Sequence, residues 1–200
     1  MLYYEDKAKS KGFKTVAGVD EAGCGPWAGP VVAAAVILKK TDFKNKIDDS
    51  KKLSPKQRKE AYEEIIDNAY VGVGIIDSRV IDSLNILQAR RIVMVNAILN
   101  LKKKPDFILV DGDIKLDTAI GFENIIKGDS KSKSIAGASI IAKVTRDRIM
   151  EIYDKAYPGY EFLKHKGYGT SLHTKMLHKL GPSPIHRISY KPVKCLLKKT

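Results

Sequence analysis

Cysteine is almost missing from this chain: Cys24 and Cys195 are the only two among 200 residues. A disulfide framework needs more cysteines in a secreted chain, so both are read as free thiols. No apolar run approaches the roughly 20 residues that span a bilayer. The longest, Val31–Leu38, is only strand-length, which excludes a membrane-spanning helix from expectation. The first residues, Met1-Leu2-Tyr3-Tyr4-Glu5-Asp6, lack the basic-then-apolar plan of a secretory signal, and the expected compartment is the cytoplasm. His165, His173, His178 and His186 lack ligand-like spacing, which argues against zinc. Internal repeats and linkers rich in Pro, Gly or Ser are also missing. One domain over residues 1–200 is therefore expected, with an α/β core over about 15–155. A loop-rich, helical C-terminal portion over about 156–200 packs on it.

What is abundant is positive charge. Lys and Arg number 36 against 23 Asp and Glu, a formal net charge of +13. That balance suggests a polyanionic partner such as nucleic acid, against the plain alternative of a solubilising lysine-rich surface. Hydrophobic residues at 44% and charged residues at 30% are ordinary for a globular protein.

Within the basic background, acids fall at telling places. Asp20 closes the run Thr15-Val16-Ala17-Gly18-Val19, and Asp111 closes Phe107-Ile108-Leu109-Val110. Both runs read as buried strands. Carboxylates gathered at buried strand ends lose solvation and repel one another, so their pKa values should rise unless a cation neutralises them. Neighbouring strands of one sheet would bring Asp20 and Asp111 together. Glu21 faces the opposite side from Asp20 in a regular strand and joins them only if the strand ends or bends there. Asp129 precedes a helix start and can complete the set, although a helix cap is the bland reading of it and a turn that of Asp111-Gly112. Hard oxygen ligands suit Mg²⁺ or Mn²⁺, and two such ions activate water and neutralise a scissile phosphate.

Element by element, strands are expected at 15–20, 31–38, 70–76 and 107–110, with a short edge strand at 120–126. Helices are expected at 55–68 with Ser54 as N-cap, and at 85–101, 135–153, 171–179 and 192–199. Ala61, Ile65 and Ala69 keep the spacing of one buried helix face. Gly72 and Gly74 hint at close packing. Two or three early strands followed by alternating helix and strand predict a mixed-direction α/β sheet flanked by helices.

Five blocks, taken in order, are distinctive: Val16-Ala17-Gly18-Val19-Asp20-Glu21-Ala22-Gly23-Cys24-Gly25-Pro26, Asp49-Ser50-Lys51-Lys52-Leu53, Ile108-Leu109-Val110-Asp111-Gly112, Lys127-Gly128-Asp129-Ser130 and Ala138-Ser139-Ile140-Ile141-Ala142-Lys143-Val144-Thr145-Arg146-Asp147. Together with His165-Lys166-Gly167-Tyr168-Gly169-Thr170 and His186-Arg187, they resemble the ribonuclease HII family over nearly the whole chain. The resemblance implies a ribonuclease H-like fold and a monomeric endonuclease with a Mg²⁺ or Mn²⁺ cofactor. Its implied partners are RNA–DNA hybrids and DNA duplexes containing ribonucleotides. It would cut the RNA strand, and cut 5′ to a single embedded ribonucleotide, leaving 5′-phosphate and 3′-hydroxyl ends. Asp20, Glu21, Asp111 and Asp129 become the catalytic, metal-binding carboxylates, while Asp147 reads better as a helix ion pair. Gly23, Cys24 and Gly25 form the loop around the ribose hydroxyl. Ser50, Lys51, Lys143 and Arg187 are implied phosphate contacts, and Tyr168 packs on the deoxyribose beside the junction.

One position departs from the resemblance. Cys24 stands where the family usually carries arginine or lysine between two glycines. A missing charge-assisted hydrogen bond, worth roughly 1.5–3 kcal/mol, is expected to weaken substrate grip or single-ribonucleotide recognition without removing metal chemistry. Two other readings compete: a related enzyme such as ribonuclease HIII or a junction resolvase, and a hybrid-binding protein that has lost hydrolysis. Ribonuclease HIII is expected to carry an added N-terminal domain, whereas only a short lead precedes Asp20 here.

Overall fold

A computed structural model describes residues 1–197. Five strands form one sheet: β1 (Val16–Ala22), β2 (Val31–Leu38), β3 (Ala69–Ile76), β4 (Phe107–Asp111) and β5 (Gly121–Ile125), in the order β3-β2-β1-β4-β5. β1 to β3 form an antiparallel meander, and β4 and β5 run parallel to β1. The helices are α1 (Tyr3–Ser10), α2 (Pro55–Asn68), α3 (Ser78–Leu84), α4 (Ile86–Leu99), α5 (Lys133–Ala156), α6 (Phe162–His165), α7 (Ser171–Leu180) and α8 (Lys191–Leu197). The mixed, helix-flanked sheet is the one expected. Positions 198 and 199 of the expected last helix lie outside the described residues.

Strand alternation divides the core. Ala17 and Val19 of β1 with Ala33 and Ala35 of β2 pack under α4, where Ala89, Val93 and Ala97 form the facing stripe. Ala34 and Val36 face the other way, against Ala61 and Ile65 of α2 and Ala138, Ile141 and Ala142 of α5. β2 is therefore buried on both faces, as its unbroken apolar run predicts. Gly18 lets α5 lie directly on β1: a Cβ there would sit 2.2 Å from the Ser134 carbonyl carbon. Gly72 and Gly74 admit α4 in the same way, since a Cβ on either would meet the Ala97 or Val93 carbonyl oxygen at 2.2 Å.

Two expectations need correction. Ala69 does not belong to the α2 face; its backbone is extended (φ −143°, ψ 165°) and it opens β3, although it is buried. α3 was not expected: Asp77 caps it by accepting from the N–H groups of Arg79 and Val80. A left-handed Asn85 (φ 70°) then separates it from α4, whose first turn the Asn85 side chain caps.

The C-terminal portion is latched to the β1–β2 connection. The Trp27 N–H donates to the Gly167 carbonyl (2.8 Å), the Gly29 N–H to Ile185 (2.9 Å) and the Arg187 N–H to Trp27 (2.7 Å). Tyr160, Phe162 and Ile185 close over Ala28 and Met150 to form a small second core.

Candidate active site

Asp20 lies near the end of β1 and Asp111 is the last residue of β4. The parallel register pairs Val19 with Val110, so the next residues, Asp20 and Asp111, end side by side on the α5 face. Asp20 is buried, and its pKa stands well above the usual carboxylate value because burial strips solvent and because Glu21 and Asp111 add like charge. The Glu21 N–H donates to Asp20 Oδ1 at 2.7 Å, and the Ser139 hydroxyl on α5 also hydrogen-bonds its carboxylate. Gly128 brings its N–H to Asp111 Oδ1 at 2.6 Å. That bond fixes the 3₁₀ turn Gly128–Ser130 against β4, and buried Asp129 sits in the turn.

β1 runs only one residue past Glu21, whose carboxylate stays close enough to those of Asp20 and Asp111 to add like charge although its side chain leaves from the other face. Glu21 pairs with Ala33 and Ala22 with Val32, so Glu21 faces α4, opposite to Asp20. There Arg90 Nε stands 2.8 Å from Glu21 Oε1, and the Cys24 thiol donates to the same oxygen at 3.5 Å. Glu21 Oε2 is buried without a hydrogen-bond partner. Burial raises the Glu21 pKa, partly offset by Arg90. Burial also raises Asp129, with Asp49 adding repulsion, while Lys51 Nζ, 3.2 Å from Asp129 Oδ2, opposes it.

These observations test the fit of a divalent cation. The donors are hard carboxylate oxygens, two of the four acids are buried, and one buried oxygen has no partner. Among the described residues, no three donors already stand at ligand spacing. Lys51 and Arg90 hold the outer acids instead. The residue types fit the ion, and the protein's own cations balance part of their charge.

The implied substrate contacts divide sharply. Lys51 is exposed and Tyr168 partly so. The back of the Tyr168 ring rests near Lys143 Nζ (5.6 Å) and the Arg146 guanidinium (5.5 Å). Lys143 is half-buried and pairs with Asp147 at 2.9 Å, the helix ion pair expected of Asp147. Arg187, one of the implied phosphate contacts, is turned inward. It is fully buried and spends its donors on the carbonyls of Gly23 (2.6 Å), Cys24 (2.9 Å) and Gly29 (2.9 and 3.1 Å) and on the Tyr190 hydroxyl (3.0 Å). Its effect is to hold the Gly23–Gly25 loop by its carbonyls. Ser50 is likewise turned inward, its hydroxyl 2.9 Å from that of Ser139, so it props the Asp20 contact.

Sequence reasoning missed several residues here. Arg146 is fully buried and donates to the Ala28 and Pro30 carbonyls; a Cβ on Gly23, whose φ is +100°, would collide with its Nε at 2.2 Å. His173 and His186 hold the Tyr168 loop from below. The Ser183 N–H donates to His186 Nδ1 (2.9 Å), so His186 carries its proton on Nε2 and donates to His173 Nε2 (3.0 Å). His173 then donates from Nδ1 to the Tyr168 carbonyl (3.0 Å). The chain of bonds requires both rings neutral, and burial holds both pKa values down to about 4. Irregular histidine spacing gave no hint of a relay between a helix and a loop.

The ribonuclease HII profile matches residues 17–193, a span that holds every one of these residues. The chain belongs to the ribonuclease HII family. It is 50% identical over 198 residues to a ribonuclease HII of Bacillus pumilus (strain SAFR-032), covering 98% of this chain and 78% of that one. A ribonuclease HII of Acetivibrio thermocellus is 52% identical over 192 residues, covering 95% and 75%. Among solved structures, the ribonuclease H2 of Pyrococcus horikoshii OT3 superposes with a TM-score of 0.77 at 28% identity, covering 93% of this chain and 98% of its own. As a ribonuclease HII, the chain is a divalent-metal-dependent endoribonuclease acting on RNA–DNA hybrids. No helix among the described residues is long and apolar enough to cross a membrane.

Proposed function

We propose that Asp20, Glu21, Asp111 and Asp129 hold Mg²⁺ or Mn²⁺, and that the site cuts both the RNA strand of hybrids and the phosphodiester 5′ to a lone ribonucleotide in duplex DNA. The carrying observation is the side-by-side ending of β1 and β4 with Asp20 and Asp111, one of them buried and strongly raised in pKa. The bound ions would supply Lewis acidity for attack by water and neutralise charge on the leaving oxygen. The remaining work falls to the chain. Ser139 and the Glu21 N–H orient Asp20, and the Gly128 N–H orients Asp111. Lys51 holds a phosphate beside Asp129 as a flexible point charge. Tyr168, backed by Lys143 and Arg146, offers its exposed face to a sugar without a 2′-hydroxyl. Products carry 5′-phosphate and 3′-hydroxyl ends, and the protein works as a cytoplasmic monomer.

The test is cleavage of a labelled hybrid in Mg²⁺, in Mn²⁺ and in EDTA by the wild type and by Asp111→Asn. Cutting in either metal, reduced to background by EDTA or by the substitution, is the expected result. Cutting that survives Asp111→Asn would overturn the assignment of the site.

A further inference from the structure

The Gly23–Gly25 loop is surrounded by three arginines, and only one of them reaches solvent. Arg187 and Arg146 are fully buried and committed to loop carbonyls. Arg90, rising from α4, remains partly exposed, with about a fifth of its side chain in solvent. Its Nη2 donates to the Asp111 carbonyl at 3.3 Å. Its Nε pairs with Glu21 Oε1 at 2.8 Å. The guanidinium thus bridges the ends of β1 and β4, over Gly112, whose Cβ position lies 3.0 Å from Nη2.

Cys24 and Arg90 converge on one atom. The Cys24 sulfur lies 3.5 Å from Glu21 Oε1, the oxygen that Arg90 approaches from the other side. The position-24 side chain and the Arg90 guanidinium are thus directed at the same carboxylate oxygen. We propose that Arg90 is the phosphate-gripping cation of the Gly23–Gly25 loop, delivered from α4 because position 24 is a cysteine, and that it sets affinity for the phosphate beside the ribonucleotide. The substrate chemistry is a phosphodiester oxygen next to a ribose hydroxyl. A planar guanidinium meets it with two N–H groups while the loop backbone addresses the hydroxyl. A cation held by Glu21 would compete with Arg90 for that carboxylate and leave the Arg90 donors to the substrate.

This inference rests on the function proposed above, so the experiment separates the two. A DNA duplex with one ribonucleotide is presented to the wild type, Arg90→Ala, Arg90→Lys, Cys24→Arg and the double variant Cys24→Arg/Arg90→Ala. KM and kcat are measured in Mg²⁺, and Kd by fluorescence anisotropy in EDTA, where no hydrolysis enters. Arg90→Ala is expected to raise KM and the metal-free Kd about tenfold or more, the scale of one charge-assisted hydrogen bond, with kcat within about threefold. Arg90→Lys, which keeps charge but loses the fork, should fall between. Cys24→Arg should restore binding in the Arg90→Ala background, a rescue that a merely structural role for Arg90 would not give. Unchanged KM and Kd in Arg90→Ala overturns the proposal, as does a raised KM that Cys24→Arg leaves unrescued. A loss confined to kcat also overturns it, because Arg90 would then serve Glu21 alone. If Arg90→Ala fails to fold, Arg90→Met keeps the stem and is read by the same criteria. Absence of cutting by the wild type strikes the functional reading, and the EDTA binding series still decides Arg90.

Discussion

At the scale of single residues, chemistry here depends on what each polar atom is already bonded to. Ser139 is the clearest case, because its hydroxyl links Asp20 to Ser50 inside the protein. Ser139→Ala should cost about 1 kcal/mol of Asp20 orientation, roughly a fivefold fall in kcat with Kd unchanged. Equal kcat in the two proteins would contradict that role. The two thiols should also differ. Cys195 is exposed, whereas burial and the charge of Glu21 push Cys24 up to about 12. Native protein treated with iodoacetamide at about pH 8 should take one adduct quickly, at Cys195, because the thiolate is the reactive form. Two adducts forming at similar rates, read by intact mass, would show that Cys24 is not shielded. Residue type was legible in the sequence, but orientation was not. Ser50 and Arg187 carry the right groups for phosphate and point inward, because buried carbonyls and a buried hydroxyl claim them first.

Elements position these residues, and the sequence revealed elements best where one local rule acted alone. β2 is a continuous apolar run and α2 has both Pro55 in its first turn and Ser54 with Gln57 as a capping box, and both appear with the expected bounds. Ala69 failed because helical spacing continued past the true end of α2, where the chain was already extended. α3 failed because a seven-residue helix shows too short a pattern to register. The contact of α5 with β1 hangs on Gly18. Gly18→Ala would force a methyl into the backbone of Ser134 and part the two elements that carry Asp20 and Ser139. A loss of more than about 3 kcal/mol in stability is expected, seen as a fall in urea midpoint, and an unchanged midpoint would contradict the packing. The Tyr168 loop depends on His173 and His186, whose folded pKa values lie below the ordinary histidine value of 6.5. Unfolded protein binds protons on these rings between about pH 6.5 and 4 while the folded protein does not. Their contribution to stability is therefore fully present above about pH 6.5 and is lost as pH falls towards 4. His165, stacked on His173 at 4.2 Å, and the hydroxyl and N–H of Ser183 face the pair, with no carboxylate among the described residues bonded to either ring. Imidazole ¹⁵N NMR at about pH 5.5 should find both rings neutral, with the proton on Nε2 of His186 and Nδ1 of His173. An imidazolium signal from either would refute the relay.

For the whole molecule, the site is an acidic knot on a chain of net charge +13. Duplex phosphates meet Lys and Arg around it and release their counterions. Binding of a hybrid in EDTA should therefore weaken at least about tenfold between 50 and 200 mM salt, and a flat response would remove the electrostatic part of the account. Arrangement at this scale was legible early, because Asp20 and Asp111 each end an apolar run and only adjacent strands satisfy both. What stayed hidden was how the acids pair with the protein's own cations, since only the fold brings Lys51 to Asp129 and Arg90 to Glu21. The most direct test is cleavage of a DNA duplex carrying one ribonucleotide, in Mg²⁺, by the wild type beside Asp20→Asn, with the cut mapped to the nucleotide. A single cut 5′ to the ribonucleotide, leaving a 3′-hydroxyl and lost in Asp20→Asn, is the predicted result. A cut elsewhere, or one that Asp20→Asn retains, would contradict it.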